Sequence, residues 1–158
     1  LACHGAVLGC YSFSGGGGFP AEIRTIYIQP FENTTPQFDL DQQLFRQLND
    51  ELPRALGLRI AGERAADALV RGRIVSYSDA AENYRAGDDQ GQQEVQHKVQ
   101  ITIAIEIIDV QGNTILWDAQ SLSGSGLYQP DSQDDTQARQ QAPANIVQQI
   151  VDGAQSQW

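Results

Sequence analysis

From Val95 to Ile107 the chain alternates with period two. Val95, Val99, Ile101, Ile103, Ile105 and Ile107 share one parity, and Gln96, Lys98, Gln100, Thr102, Ala104 and Glu106 take the other. That pattern predicts a long, half-buried antiparallel strand over 94–109. Asp109-Val110-Gln111-Gly112-Asn113 reads as a turn, and Thr114 to Ala119 as the return strand, running on toward Tyr128 through Gly124 and Gly126. Upstream, Glu22 to Gln29 is a β-rich run stopped by Pro30, and Leu58 to Ala61 is a short extended segment. Ala68 to Ser78 is a strand of ambiguous phase, reconcilable by a bulge near Gly72. Residues 79–93 are polar and read as a loop.

Two segments carry helical spacing instead. Leu40, Leu44, Leu48 and Leu52 recur every four residues behind Asp39 and Gln42, the spacing of a capping box, and Pro53 and Gly57 mark the end. Between Asp131 and Asp152, Ala138, Ala142, Ile146 and Ile150 form a second stripe, with Asp131, Asp134 and Asp135 at its positive end. Pro143 falls inside it and predicts a kink or a broken start, with Ala144 onward the firmer half. Each helix has one apolar stripe and the sheet one apolar face. The expected fold is α+β: a two-layer sandwich of two helices on one face of a roughly four-stranded, mostly antiparallel sheet, its other face wet.

The 158 residues suit one domain, and none of the apolar runs approaches a membrane-spanning length. The net charge of −10, with Lys98 the only lysine among ten basic residues, excludes a phosphate-backbone binder, so no nucleic-acid partner is expected. The only cysteines, Cys3 and Cys10, lie in the first ten residues, and Leu1-Ala2-Cys3 is a second, poorer candidate for acylation. Val7-Leu8-Gly9-Cys10 resembles a bacterial lipobox, in which a small residue precedes a cysteine that is acylated and becomes the new N-terminus. Residues 1–9 then read as a signal remnant, 10–21 as a lipid anchor and tether through Gly15 to Gly18, and 22–158 as the body. Such a body holds no thiol, hence neither a disulfide framework nor a cysteine nucleophile.

Catalytic and metal-binding constellations are not apparent. His4 lies in the signal remnant, and His97 reads as a strand-end residue rather than a base or ligand. The carboxylates lack the spacing of a calcium loop, and Ser123-Gly124-Ser125-Gly126 does not meet the nucleophile-elbow pattern. A tethered, non-enzymatic binding module without cofactor remains. Arg71, Arg73, Arg85 and Lys98 gather basic charge in the central strands and the loop between them, a candidate contact for anionic headgroups.

Gly9-Cys10-Tyr11-Ser12-Phe13-Ser14-Gly15, Ile23-Arg24-Thr25-Ile26, Pro30-Phe31-Glu32-Asn33-Thr34-Thr35, Ala66-Asp67-Ala68-Leu69-Val70-Arg71-Gly72-Arg73-Ile74, Leu116-Trp117 and Ser123-Gly124-Ser125-Gly126 follow in an order that resembles the LptE family of lipopolysaccharide-assembly lipoproteins, in its form outside the enterobacteria. The resemblance implies a two-helix, four-strand sandwich. It also implies an outer-membrane lipoprotein facing the periplasm, and a partner, the β-barrel translocon LptD, whose lumen the lipoprotein plugs while lipopolysaccharide enters the outer leaflet. Its lipid attachment falls on Cys10. Tyr11 after the cysteine, in place of Asp, fits export to the outer membrane. Arg71, Arg73 and Lys98 are candidate lipopolysaccharide contacts by type and place, and the acidic balance favours plugging over strong lipid binding. Ile26 to Thr34 also resembles the first strand of curli-secretion-like and penicillin-binding-protein-activator lipoproteins, which act as regulators or pore subunits.

Overall fold

A computed structural model describes residues 19–83, 95–129 and 135–157. Elements follow in the order β1 (Thr25–Ile28), β2 (Glu32–Asn33), α1 (Leu40–Leu56), β3 (Arg59–Ile60), β4 (Ala68–Asn83), β5 (Val95–Asp109), β6 (Thr114–Tyr128) and α2 (Asp135–Ser156). The sheet has six strands, ordered β3-β1-β4-β5-β6, with β2 also on β4. The three long strands are antiparallel, as the alternation predicted. The three short ones pair in parallel, β1 with β3 and β4, and β2 with β4. The count exceeds four because β2 and β3 are two residues each, too short to leave a period.

The predicted strand face of β5 is the centre of the core. Val99, Ile101, Ile103, Ile105 and Ile107 are all buried, each worth roughly 1.5–3 kcal/mol by removal from water. Leu40, Leu44, Leu48, Leu52 and Leu56 of α1 and Ala138, Ala142, Ile146, Ile150 and Ala154 of α2 close over the same side of the sheet. Among the described residues no buried residue is polar or charged.

Several details differ from the sequence reading. The bulge in β4 falls between Ile74 and Ser76, not near Gly72. Val75 is the extra residue, and its insertion turns Tyr77, on the opposite parity from Ile74, toward the helix side. Residues 79–83 belong to β4, paired with 95–99 of β5, because each finds a cross-strand partner there. The rest of the expected loop, Arg85 included, lies outside the described residues, as do Cys3, Cys10, Asp131 and Asp134.

The capping box does not form. Asp39 sits in the left-handed region (φ 71°) with no side-chain cap, and its carbonyl accepts the first helical bond from Gln43 at 3.0 Å. Entry to α1 is fixed upstream instead. Asn33 accepts from the Thr35 backbone N–H at 3.0 Å and hydroxyl at 2.8 Å, and donates to the Gln37 carbonyl at 2.8 Å. At the other end Gly57 takes a left-handed φ of 70°. Its N–H reaches the Arg54 carbonyl while Leu58 N–H reaches that of Pro53, a Schellman close.

α2 runs through Pro143 without a break. A proline inside a helix costs about 3 kcal/mol. Here Ala138, Ala142, Pro143, Ile146 and Val147 are all buried, and that packing holds the first half in place. Ala138 and Ala142 lie over Gly126 and Gly124 of β6, where any Cβ would collide with the helix's own backbone carbonyls. Asn145 and Gln149 then donate to the Ser125 and Ser123 carbonyls at 2.7 and 2.8 Å, covering part of an open sheet edge. Ser123-Gly124-Ser125-Gly126 is therefore the seat of α2. Among the described residues no helix is long and apolar enough to cross a membrane.

Candidate functional site

The helices cover one face of the sheet and leave the other to solvent. Arg71, Arg73 and Lys98 all project from that open face, since Val70 and Ile74 of β4 and Val99 of β5 take the buried parity beside them. Arg71 pairs across the strands with Glu106, its Nη2 and Nε donating to the same carboxylate oxygen at 3.0 and 3.2 Å. Arg73 stands two residues on, opposite Ala104 on β5 and Glu32 on β2. Among the described residues it has no ion-pair partner.

Lys98 lies elsewhere. It faces Ala80 and Leu127 and approaches Glu82 at 3.7 Å. Eight residues of β5 separate it from Glu106, about 26 Å at strand rise. The open face thus carries two basic points at opposite ends, not one three-residue site. Between them run Ser76, Ser78, Gln100, Thr102, Ser123 and Ser125, short and neutral, with Thr102 and Ser123 joined hydroxyl to hydroxyl at 2.8 Å.

Around the first point the surface dips into an open depression of about 290 Å³, lined by Gln29, Glu32, Arg71, Arg73, Glu106 and Gln120 among others. Two guanidiniums against two carboxylates make it zwitterionic. It offers hydrogen bonds to hydroxyl-rich or phosphorylated groups without a strong cationic field.

Two polar clusters were not visible as motifs. At the far end of the long ribbon, Tyr128 donates to Asp79 at 2.9 Å, and His97 Nδ1 lies 3.2 Å from Asp79 and 3.1 Å from the Tyr128 hydroxyl. Burial, then the hydrogen bond to Asp79, pushes the Tyr128 phenol above its usual range, so it stays the donor. His97 is the strand-end residue expected; its partners come from strands 18 and 31 residues away, and only the register brings them together. Burial also raises Tyr77, against the counter-pull of Arg139. At the opposite end Asp67 accepts from the backbone N–H of Arg24 and Thr25, both at 3.0 Å, and from the Thr25 hydroxyl at 2.8 Å. Those donors hold its carboxyl below the ordinary range. Among the described residues no three His, Cys, Asp or Glu side chains gather as a metal site.

The motifs that carried the resemblance have structural work. The Phe31 ring occupies the place a Cβ on Gly72 would need, 2.6 Å away. Thr34 donates to the Ile74 carbonyl at 2.7 Å. The indole of Trp117 lies over Gly153 of α2.

Solved structures of similar fold span most of the chain. A PelC dodecamer subunit from Paraburkholderia phytofirmans aligns with a TM-score of 0.53 at 17% identity, covering 89% of this chain and 88% of its own. The hypothetical protein CT253 from Chlamydia trachomatis aligns at 0.54 and 10%, covering 84% and 98%. Uncharacterized lipoprotein B from Nitrosomonas europaea aligns at 0.52 and 12%, covering 85% and 83%. At these identities the likeness is one of fold. No curated protein matches the sequence. The family model for LptE, lipopolysaccharide assembly, matches residues 23–154, from the approach to β1 to the last turns of α2. This chain belongs to the LptE lipopolysaccharide-assembly family.

Proposed function

We propose that the protein is an outer-membrane lipoprotein of the lipopolysaccharide translocon, anchored through acylated Cys10 and facing the periplasm. Its body plugs and stabilises an LptD-type β-barrel while lipopolysaccharide is inserted. The observation that carries the reading is the family match over residues 23–154. The open sheet face supports it. Its long stretch of hydroxyl and amide side chains is suited to lie against a polar barrel lumen.

In this reading the protein performs no catalysis and carries no cofactor. Arg71 and Arg73 form one contact region for the phosphorylated sugar of lipopolysaccharide and Lys98 a separate one. The carboxylates beside them keep each contact weak, in keeping with a passing substrate. A periplasmic regulator or homo-oligomeric pore subunit, as in curli-secretion-like or penicillin-binding-protein-activator lipoproteins, is the competing role.

Depletion in the source bacterium tests the reading. Loss of surface lipopolysaccharide, with assembly restored by the wild-type gene, is the expected result. Unchanged surface lipopolysaccharide at full depletion contradicts it.

A further inference from the structure

Glu32 and Arg73 stand opposite each other in the parallel pairing of β2 with β4, and both are exposed. A cross-strand pair of opposite charges is normally favourable. Yet neither makes an ion pair, with the other or with any described residue. Both instead line the depression of about 290 Å³ on the open face, where Arg71 is already held by Glu106. The depression thus presents one unengaged cation and one unengaged anion. Two residues from Arg71 along β4, about 7 Å at strand rise, the same face turns apolar. Leu69 stands between Tyr27 of β1 and Ile108 of β5, and Ile108 stands beside Ile115 of β6. Tyr27, Leu69 and Ile108 are half-buried, and Ile115 is 59% exposed. The row crosses four strands, about 14 Å at the usual spacing between strands.

We infer that the depression and the row together hold a single zwitterionic phospholipid. Its phosphate sits on Arg73 and Arg71, its ammonium on Glu32, and its acyl chains cross Tyr27, Leu69, Ile108 and Ile115. Charge complementarity selects this occupant. A head that brings only anions is attracted by the guanidiniums and opposed by Glu32 and Glu106. A head that carries an ammonium beside its phosphate gives each unengaged charge a partner, through charge-assisted hydrogen bonds. The order along the strands matches the molecule, with Glu32 and Arg73 farthest from the row, Arg71 and Glu106 between, and the apolar side chains last. A pocket with a few convergent polar groups beside apolar surface is the usual form of a small-molecule site. The hydroxyl and amide stretch begins on the other side of Arg73, at Ser76 and Thr102, so lipid and lumen wall use different parts of the open face. One bound lipid needs no bilayer at this end, and the body keeps its place in the barrel. Because lipopolysaccharide is assigned the same guanidiniums, the two ligands exclude each other at Arg71 and Arg73. The inference stands on these residues and depends on neither the barrel nor the anchor.

The test titrates the full chain carrying Cys10→Ser, so that no detergent competes for the row, with three soluble probes. Dihexanoyl-phosphatidylethanolamine has both charges and the chains, dihexanoyl-phosphatidylglycerol lacks the ammonium, and glycerophosphoethanolamine lacks the chains. The first is expected to bind several-fold more tightly than either of the others. Glu32→Gln is expected to erase the preference over phosphatidylglycerol, and Ile115→Ser, at an exposed position, to narrow the preference over the chain-free head. Equal or tighter binding of phosphatidylglycerol by the unsubstituted site overturns the zwitterion contact. Equal binding of the chain-free head overturns the row, and no binding of phosphatidylethanolamine overturns the whole inference. These comparisons hold whether or not a variant folds. In the source bacterium, a photoreactive group on Ile115→Cys in the otherwise full chain is expected to capture ethanolamine-labelled phospholipid. Capture of a barrel protein or of a second copy in its place assigns the row to a protein surface and overturns the inference.

Discussion

Thr25 and Asp67 hold each other reciprocally. The Thr25 hydroxyl donates to the Asp67 carboxylate at 2.8 Å, and the Asp67 backbone N–H donates back to that hydroxyl at 2.9 Å. The pair ties the start of β1 to the approach to β4, strands joined only by a short parallel register. Because its donors favour the ionised form, the Asp67 carboxyl is depressed below its ordinary value of 3.8. Its contribution to stability is therefore present above about pH 3.8 and is lost as pH falls through the lower folded value. Asp67→Ala is expected to lower the denaturation midpoint at pH 7, and the gap from wild type to narrow in strong acid. Equal gaps at pH 7 and pH 2 would show that the carboxylate's charge has no part in the clamp.

The seat of α2 makes a steric prediction. Gly124→Val or Gly126→Val places side-chain atoms where the α2 backbone lies, and is expected to destabilise by at least about 2 kcal/mol. Ser125→Ala, on the open face between them, is expected to stay within about 0.5 kcal/mol. Urea unfolding of the three variants reads the difference. Similar midpoints for Gly126→Val and Ser125→Ala would place α2 elsewhere.

The separation of the basic points predicts how charge reversals combine. Arg73→Glu is expected to weaken lipopolysaccharide binding several-fold, more than Arg71→Glu, because Arg71 is already engaged by Glu106. Lys98→Glu, about 26 Å away by strand rise, is expected to act independently, so the double variant shows the product of the single effects. Titration calorimetry against lipopolysaccharide measures this. Strong coupling between Arg73 and Lys98 would contradict two separate contacts.

The ribbon-end cluster is readable by tyrosine absorbance. Tyr128 and Tyr77 are both raised above 10, so their neutral forms stabilise the fold below pH 10 and that contribution fades as pH rises through their folded values. Wild-type protein is expected to show late-titrating phenols, and Tyr128→Phe to lose one. An unchanged late component in Tyr128→Phe would remove Tyr128 from the cluster.

Much of the fold was legible because its main elements have clean periods. Val99 to Ile107 and Leu40 to Leu52 each show one spacing, and each is buried where that spacing put it. The misplaced bulge is instructive. Ile74 and Val75 are adjacent and both apolar, so composition cannot say which is the extra residue; the pairing with Ile103 and Thr102 decides. Asp39 and Gln42 have the spacing of a capping box, but Asn33 fixes the turn before the helix and leaves Asp39 left-handed. Pro143 does not break α2; local propensity ignores what lies below the helix, here the bare backbone at Gly124 and Gly126. At the candidate site, residue type marked Arg71, Arg73 and Lys98, but distance along a strand separates them. The Asp79, His97 and Tyr128 grouping left no local trace because it spans three strands.

As the proposed plug of a β-barrel translocon, the chain should co-purify with its barrel from detergent-solubilised outer membrane. An affinity-tagged chain is expected to bring down one large β-barrel protein in equal stoichiometry, with the complex surviving gel filtration. Recovery of the chain as a homo-oligomeric ring, or with a peptidoglycan synthase in place of a barrel, would contradict the account.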